Sequence, residues 1–250
     1  MATGDSKISQ MRFIAHGGLG RLRPGGAPDR ACLDRCLQAG VAMIELDVCR
    51  CADGSLVARH DLVLPSGVAV AALTVAQLRA DDRDLLTLDD AADHVAGRVP
   101  LLLDLKGAGL AAPLGGWLAR RGEADDFAVC TDDATALGTL RALAPRVSRW
   151  RTLPEVAEGP GEARRRMAAA VRRRRLVPRL GALAVEVAAA GLCVDHWAVT
   201  QGLCAEARRL GLPVAAWTVN GPRRARRMGR KGVNLITTDE PAALREALLR

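Results

Sequence analysis

Ala42-Met43-Ile44-Glu45-Leu46-Asp47-Val48 is joined by Cys49-Arg50-Cys51-Ala52-Asp53-Gly54 to Ser55-Leu56-Val57-Ala58-Arg59-His60-Asp61. These are two short apolar runs with a link too short for a helix between them. Parallel neighbours need a dozen or more connecting residues, so the pair reads as a hairpin-like excursion around Asp53-Gly54. The rest of the chain alternates differently. Strand candidates lie at 12–16, 42–48, 55–61, 99–106, 127–131, 147–152, 183–187, 213–219 and 234–239, each rich in Val, Ile or Leu. Amphipathic stretches at 29–38, 88–95, 135–143, 203–210 and 241–249 fall between them, and Pro241 suits the first turn of a helix. Repeated βα alternation over 250 residues predicts an α/β fold, a single-domain (β/α)8 TIM barrel over 10–250 after a short tail, 1–9. Nine candidates are one too many, and the hairpin accounts for the surplus without saying which strand stays outside. A doubly wound open sheet is the competing fold, but His16-Gly17-Gly18-Leu19-Gly20 has the wrong glycine spacing for its phosphate loop.

Composition narrows the function classes. Hydrophobic residues make up 49% and charged residues 26%, the balance of a globular chain with a sizeable core. No run approaches the roughly 18–20 apolar residues of a membrane span, and the opening MATGDSKISQMRF has no apolar segment after a basic start. A cytoplasmic setting is the expectation, and seven cysteines suggest no disulfide framework there. Cys49 and Cys51 lack a second pair at zinc spacing. Net charge is +8, almost all of it arginine; lysine occurs only at Lys7, Lys106 and Lys231. Such basicity attracts phosphates in general, but with few Phe and Trp and no Tyr there is no stacking set for nucleic acid. The basic run from Arg164 to Arg175 is either a solvated helix or a peripheral contact with an anionic membrane. Oligomeric state is not legible.

Chemistry collects at strand ends. His16 closes the first strand, Glu45 and Asp47 the second, His60 and Asp61 the next, Asp104 and Lys106 the run 99–106, Thr218 and Asn220 the run 213–219, and Asp239 the last. In a parallel barrel the carboxyl ends of the strands open on one face, where active sites are built. Glu45 and Asp47 are two apart, as are Asp104 and Lys106, so each pair shares a face of its strand. Three carboxylates converging there would repel one another. A divalent metal cancels that repulsion, and hard oxygen donors suit Mg²⁺ or Ca²⁺ better than Zn²⁺. Two histidines supply acid and base near neutrality, and Lys106 a positive charge for a phosphoryl oxygen. Together they describe a site for an anionic ester, best a small-molecule phosphodiester. Trp217 and Asn220 either line that pocket or serve packing and turn formation. Asp239 with Pro241 reads as a helix cap.

These residues carry a resemblance. Ile14-Ala15-His16, Ile44-Glu45-Leu46-Asp47-Val48 and Ala52-Asp53-Gly54-Ser55-Leu56-Val57 leading to His60-Asp61 resemble the opening of the glycerophosphodiester phosphodiesterase family. Asp104-Leu105-Lys106, Trp217-Thr218-Val219-Asn220 and Gly232-Val233-Asn234-Leu235-Ile236-Thr237-Thr238-Asp239 follow in the family's order. The resemblance implies a barrel that hydrolyses glycerophosphodiesters to glycerol 3-phosphate and an alcohol. It implies His16 and His60 as acid and base, Glu45, Asp47 and Asp104 as metal ligands, and Lys106 at the phosphate; Trp217 and Asn220 stay candidate substrate-binding residues on their place at the strand end. The third carboxylate of the family is usually Glu; Asp104 is also what spider-type sphingomyelin phosphodiesterases show, which keeps a lipid head group open as substrate. Two departures stand out. The family has Arg directly after its first histidine, where this chain has Gly17, and its Pro-Glu-Asn-Thr stretch is absent. Arg21 or Arg23 would have to replace the lost contact. The competing expectations are a barrel that binds a phosphate ligand without turnover, and a lyase or sphingomyelinase-like enzyme.

Overall fold

The computed structural model describes residues 11–23, 26–153 and 177–249. The basic run from Arg164 to Arg175 therefore lies outside the described residues. Among the described residues nine strands are found: β1 Arg12–Ala15, β2 Met43–Arg50, β3 Leu56–Ala58, β4 Leu101–Leu105, β5 Phe127–Thr131, β6 Ser148–Thr152, β7 Gly191–Asp195, β8 Val214–Trp217 and β9 Leu235–Thr238. They form one sheet in the order β1-β9-β8-β7-β6-β5-β4-β2-β3, with β1 also paired to β2. Eight of them make the closed parallel barrel of a (β/α)8 fold. The ninth is β3, antiparallel to β2 in the register Val48↔Ala58, Cys49↔Val57 and Arg50↔Leu56. The surplus strand is thus the far arm of the Asp53-Gly54 hairpin, with Gly54 at φ +84 in the turn.

The described residues fall into two compact units: Ile14–Ser148, and Arg149–Arg250 with the short segment preceding Ile14. In the first, helices start where a side chain can take up orphan backbone donors. Asp29 caps Arg30–Gln38 by accepting from the Cys32 N–H, and Thr74 with Gln77 and Thr87 with Asp90 form reciprocal capping boxes. Strand residues Ile44, Leu46, Leu101, Leu102 and Leu103 are buried. In the second unit Thr200 caps Gln201–Arg209, and Pro222 opens the helix Pro222–Lys231, which ends on Gly232 at φ +99. Its core includes Trp150, Leu192, Leu203, Val214, Ile236 and Leu244.

One strand expectation is overturned. Residues 183–187 lie in and just after a helix, Leu180–Glu186, rather than in a strand. Leu180, Ala184 and Val187 are buried while Val185 is 76% exposed, the i, i+4, i+7 burial of a helix and not alternation by two. The strand of this region is β7, whose opening Gly191 pairs with Trp150 on β6. A Cβ at Gly191 would lie 2.5 Å from the indole ring, so only glycine leaves room for it. Among the described residues no helix is long and apolar enough to cross a membrane.

Candidate active site

Parallel pairing of β2 with β4 sets Asp47 opposite Asp104 and Glu45 opposite Leu102. Glu45 and Asp47 therefore emerge on one face of β2, with Asp104 beside them. Each of the three can offer a carboxylate oxygen such that all lie within 4.8 Å of one another. Glu45 and Asp47 are buried. Lys106, just past β4, is held by its backbone N–H to the Val48 carbonyl, and its Nζ lies 2.7 Å from Asp104 Oδ2 and 3.1 Å from Asp47 Oδ1. Cys130 on β5 donates its thiol to Asp104 Oδ1 at 3.5 Å.

One ammonium among three carboxylates leaves a buried surplus of negative charge. Burial, reinforced by Asp47 and Asp104, pushes the Glu45 carboxyl well above the usual carboxylate range, against the Gly17 N–H and Lys106. Burial also raises Asp104, in spite of Lys106. Desolvation works against the Lys106 ammonium, but Asp104 and Asp47 outweigh it and lift it above the ordinary lysine range. Without a cation the cluster is an unfavourable concentration of buried carboxylates. The donor set consists of hard oxygens on rigid strands, which fits Mg²⁺ or Ca²⁺.

His16 follows β1, whose Ile14 and Ala15 pair with Met43 and Ile44, so the strand delivers it toward Glu45. Gly17, Gly18 and Leu19 then all take left-handed backbone angles (φ +53, +54 and +61). This turn aims the Gly17 N–H at Glu45 Oε2, 2.6 Å away. A Cβ at Gly17 would point at Asp47 Oδ2 from 3.8 Å, so a side chain here would start out over the carboxylates. The Arg59 N–H bonds to the Asp47 carbonyl at 2.8 Å and brings the His60 segment to the same strand end. His60 Nδ1 lies 2.8 Å from Asp61 Oδ1. With Nδ1–H donating there, Asp61 orients the ring and leaves Nε2 for proton exchange.

Of the two arginines expected to stand in for the missing family arginine, Arg23 is committed elsewhere. It bonds Asp29 at 2.9 Å, Asp82 at 3.2 Å and the Ala27 carbonyl at 2.8 Å. Arg21 is exposed and near enough to help hold the Asp61 carboxyl below its ordinary range, behind the larger effect of the His60 hydrogen bond.

Trp217 and Asn220 belong to the other unit, where the sequence reading also missed a cluster. Asn220 Oδ1 accepts from Thr238 Oγ1 and from the Asp239 N–H, and its Nδ2 donates to Asp239 Oδ2 at 2.6 Å. Its amide thereby fastens the turn after β9, and Asp239 is held by Asn220. Trp217 is half-buried at the end of β8, and its carbonyl accepts from both the backbone N–H and the Nδ1 of His196. Arg224 meets His196 Nε2 at 2.8 Å and stacks 5.0 Å over Trp197. Burial, against the Trp217 carbonyl, holds His196 below the ordinary histidine range, and Arg224 adds to the effect. His196 and Trp197 follow β7 directly, so finding that strand in the sequence would have found them.

Comparison with known proteins places this geometry. Residues 109–243, just over half of the chain, match the model of the Glycerophosphoryl diester phosphodiesterase family. The chain belongs to this family. It is accordingly a phosphoric diester hydrolase, although the matched residues begin beyond Lys106 and the acidic cluster lies ahead of them. Among solved structures, a protein assigned as a glycerophosphoryl diester phosphodiesterase from Silicibacter pomeroyi is 25% identical with a TM-score of 0.77, over 99% of this chain and 98% of that one. An Oleispira antarctica phosphodiesterase, solved in complex with the product sn-glycerol-3-phosphate, is 19% identical with a TM-score of 0.72 over 96% and 97%. A glycerophosphodiester phosphodiesterase from Thermotoga maritima is 19% identical with a TM-score of 0.71 over 96% and 98%. The last two likenesses speak for the barrel alone. No curated protein sequence matches the chain.

Proposed function

We propose that this chain hydrolyses glycerophosphodiesters to glycerol 3-phosphate and an alcohol with a divalent cation, Mg²⁺ or Ca²⁺, held by Glu45, Asp47 and Asp104. The observation that carries this reading is the group of three carboxylates within 4.8 Å, offset by a single lysine. The cation supplies Lewis-acid polarisation of the phosphoryl oxygens and cancels the buried charge. The remaining work falls to side chains. Lys106 offers its ammonium to a non-bridging phosphate oxygen. His60, oriented by Asp61, and His16 exchange the two protons that hydrolysis requires, one from the nucleophile and one to the leaving alcohol. Trp217 and Asn220 are the candidate substrate contacts of the second unit. Seven buried thiols fit a reducing, cytoplasmic setting.

A second reading, a barrel that binds phosphate without turnover, is favoured by Gly17, where the family arginine would stand. Glycerol 3-phosphate release from glycerophosphocholine, measured with Mg²⁺, Ca²⁺ or EDTA, separates the two. Metal-dependent release that disappears in His16→Ala is the expected result. A silent wild type that Gly17→Arg awakens would establish the second reading instead.

A further inference from the structure

Strand β6 reads Ser148-Arg149-Trp150-Arg151-Thr152, and two of its side chains are buried cations. Alternation by two puts Arg149 and Arg151 on one face of the strand and Trp150 and Thr152 on the other. The second face is shared with Cys193, Asp195 and Trp217, through the registers Thr152↔Cys193 on β7 and Asp195↔Trp217 on β8. The arginine face looks the opposite way, toward the helix Leu180–Glu186. Arg149 Nε donates to the carbonyl of Val187, just past that helix, at 3.2 Å. Arg151 is only 9% exposed, and its Nε and Nη1 are buried with no hydrogen-bond partner among the described residues. Less buried arginines of this chain are better served. Arg23 reaches Asp29 and Asp82, and Arg121 reaches Asp93 and Glu123, although both are half-buried.

A guanidinium stays charged in a protein, so it cannot escape the cost of burial by losing a proton. A buried charge left without a counter-ion is among the costliest features a fold can carry. We infer that Arg151 holds a bound oxyanion, phosphate or a phosphate monoester, on the helix side of β6. Nε and Nη1 lie on different edges of the guanidinium, so each edge has an open donor for paired N–H···O bonds to such an ion. A phosphate dianion gains more from a buried guanidinium than a carboxylate does, because the attraction scales with charge. The narrow exposed edge of Arg151 admits a small ion and excludes a polymer or a bilayer. This is a site apart from the one that turns substrate over, since its face of the sheet is opposite to that of Trp217. The inference stands whether or not the chain is an active phosphodiesterase.

The test is a set of thermal melts of the full chain in EDTA, with sodium phosphate titrated against sodium chloride at constant ionic strength. EDTA keeps the acidic cluster free of divalent cation, so that cluster repels phosphate. Wild-type Tm should rise by about 3 °C or more at about 10 mM phosphate, the shift expected for a Kd near ~1 mM. Arg151→Met removes the charge and keeps an unbranched stem, and its rise should be less than about a third of that in wild type. Arg151→Lys keeps the charge without the planar fork and should fall in between. Lys106→Met should respond as wild type does. Equal rises in wild type and Arg151→Met overturn the inference, since phosphate also stabilises proteins by exclusion from their surfaces. Loss of the response in Lys106→Met overturns it too, because the ion would then sit in the acidic cluster. Equilibrium dialysis of labelled phosphate decides the matter if Arg151→Met does not fold. Wild type and Lys106→Met should each bind about one ion and Arg151→Lys should bind it more weakly, whereas no binding to wild type overturns the inference. An arm with sn-glycerol 3-phosphate at the same concentration names the source. A larger rise than with phosphate assigns the site to the monoester, and an equal or smaller one to free phosphate.

Discussion

Two strand ends in this barrel arrange their polar groups in opposite ways. At the ends of β2 and β4, Glu45, Asp47 and Asp104 crowd within 4.8 Å around one ammonium, and burial drives the Glu45 and Asp104 carboxyls upward. After β8 and β9, Asn220 joins Thr238 and Asp239 through three short hydrogen bonds, with donor matched to acceptor. The second arrangement closes on itself and holds a turn in place. The first sets three carboxylates against one ammonium. Buried charge left over at the carboxyl end of a barrel strand is therefore the better guide to chemistry here than polarity alone.

The sharpest way to break this comparison is to remove the surplus charge. Glu45→Gln keeps the size of the side chain and takes away one carboxylate. Activity should fall by about a thousandfold or more, the scale expected when a group organising transition-state electrostatics is lost. The metal-free protein should at the same time melt higher than wild type, because like-charge repulsion and a desolvation penalty are relieved. Loss of activity together with loss of stability would mean that Glu45 is a structural partner of the Gly17 N–H and no ligand. Thermal melts in EDTA beside kcat/KM measurements decide between them.

Lys106→Met tests the other sign. It leaves the carboxylates with no cation, and activity should drop by roughly a hundredfold or more. Its clearest signature is in pH. Glu45 and Asp104 have folded-state values raised above their unfolded ones, so their contribution to stability is full below about pH 4 and is lost as pH rises through the raised folded values. Metal-free wild type should thus lose stability as pH climbs from about 4, and Lys106→Met should lose more over the same span. Added Mg²⁺ or Ca²⁺ should flatten the slope in wild type. A slope unchanged by cation and by Lys106→Met would remove the electrostatic argument for a metal at this site.

Much of this was legible in the sequence, for reasons that differ by region. Glu45, Asp47, Asp104 and Lys106 could be placed together because a strand's period of two is local and the βα alternation is strong around them. The excursion to β3 was readable from a link too short for a helix. The region from 183 to 195 was not. Leu183, Val185 and Val187 look like alternation by two, and only burial at Leu180, Ala184 and Val187 reveals the helix. β7 was hidden because it opens on Gly191, a poor strand former, required by the Trp150 ring above it. With the strand went His196, Trp197 and their contact with Arg224. The commitment of Arg23 to Asp29 and Asp82 was equally beyond reach, since it depends on a contact 59 residues away in the chain.

Asn220 gives the smallest effect and the finest test. The sequence left it between lining a pocket and forming a turn, and its amide is occupied by Thr238 and Asp239. If fastening that turn is its main task, Asn220→Ala should cost about 1 kcal/mol of stability, in line with hydrogen bonds on an exposed residue. KM should then stay within a few-fold of wild type, because no bond to substrate is lost. If Asn220 also reaches the substrate, the split reverses: KM or kcat changes well beyond the loss in stability, and Asn220→Asp, which keeps the acceptor but repels Asp239 and phosphate alike, is worse than alanine. The first outcome would keep the two strand ends distinct, one for chemistry and one for structure. The second would make that network part of the substrate site, and the surplus of buried charge would mark only the proposed cation site.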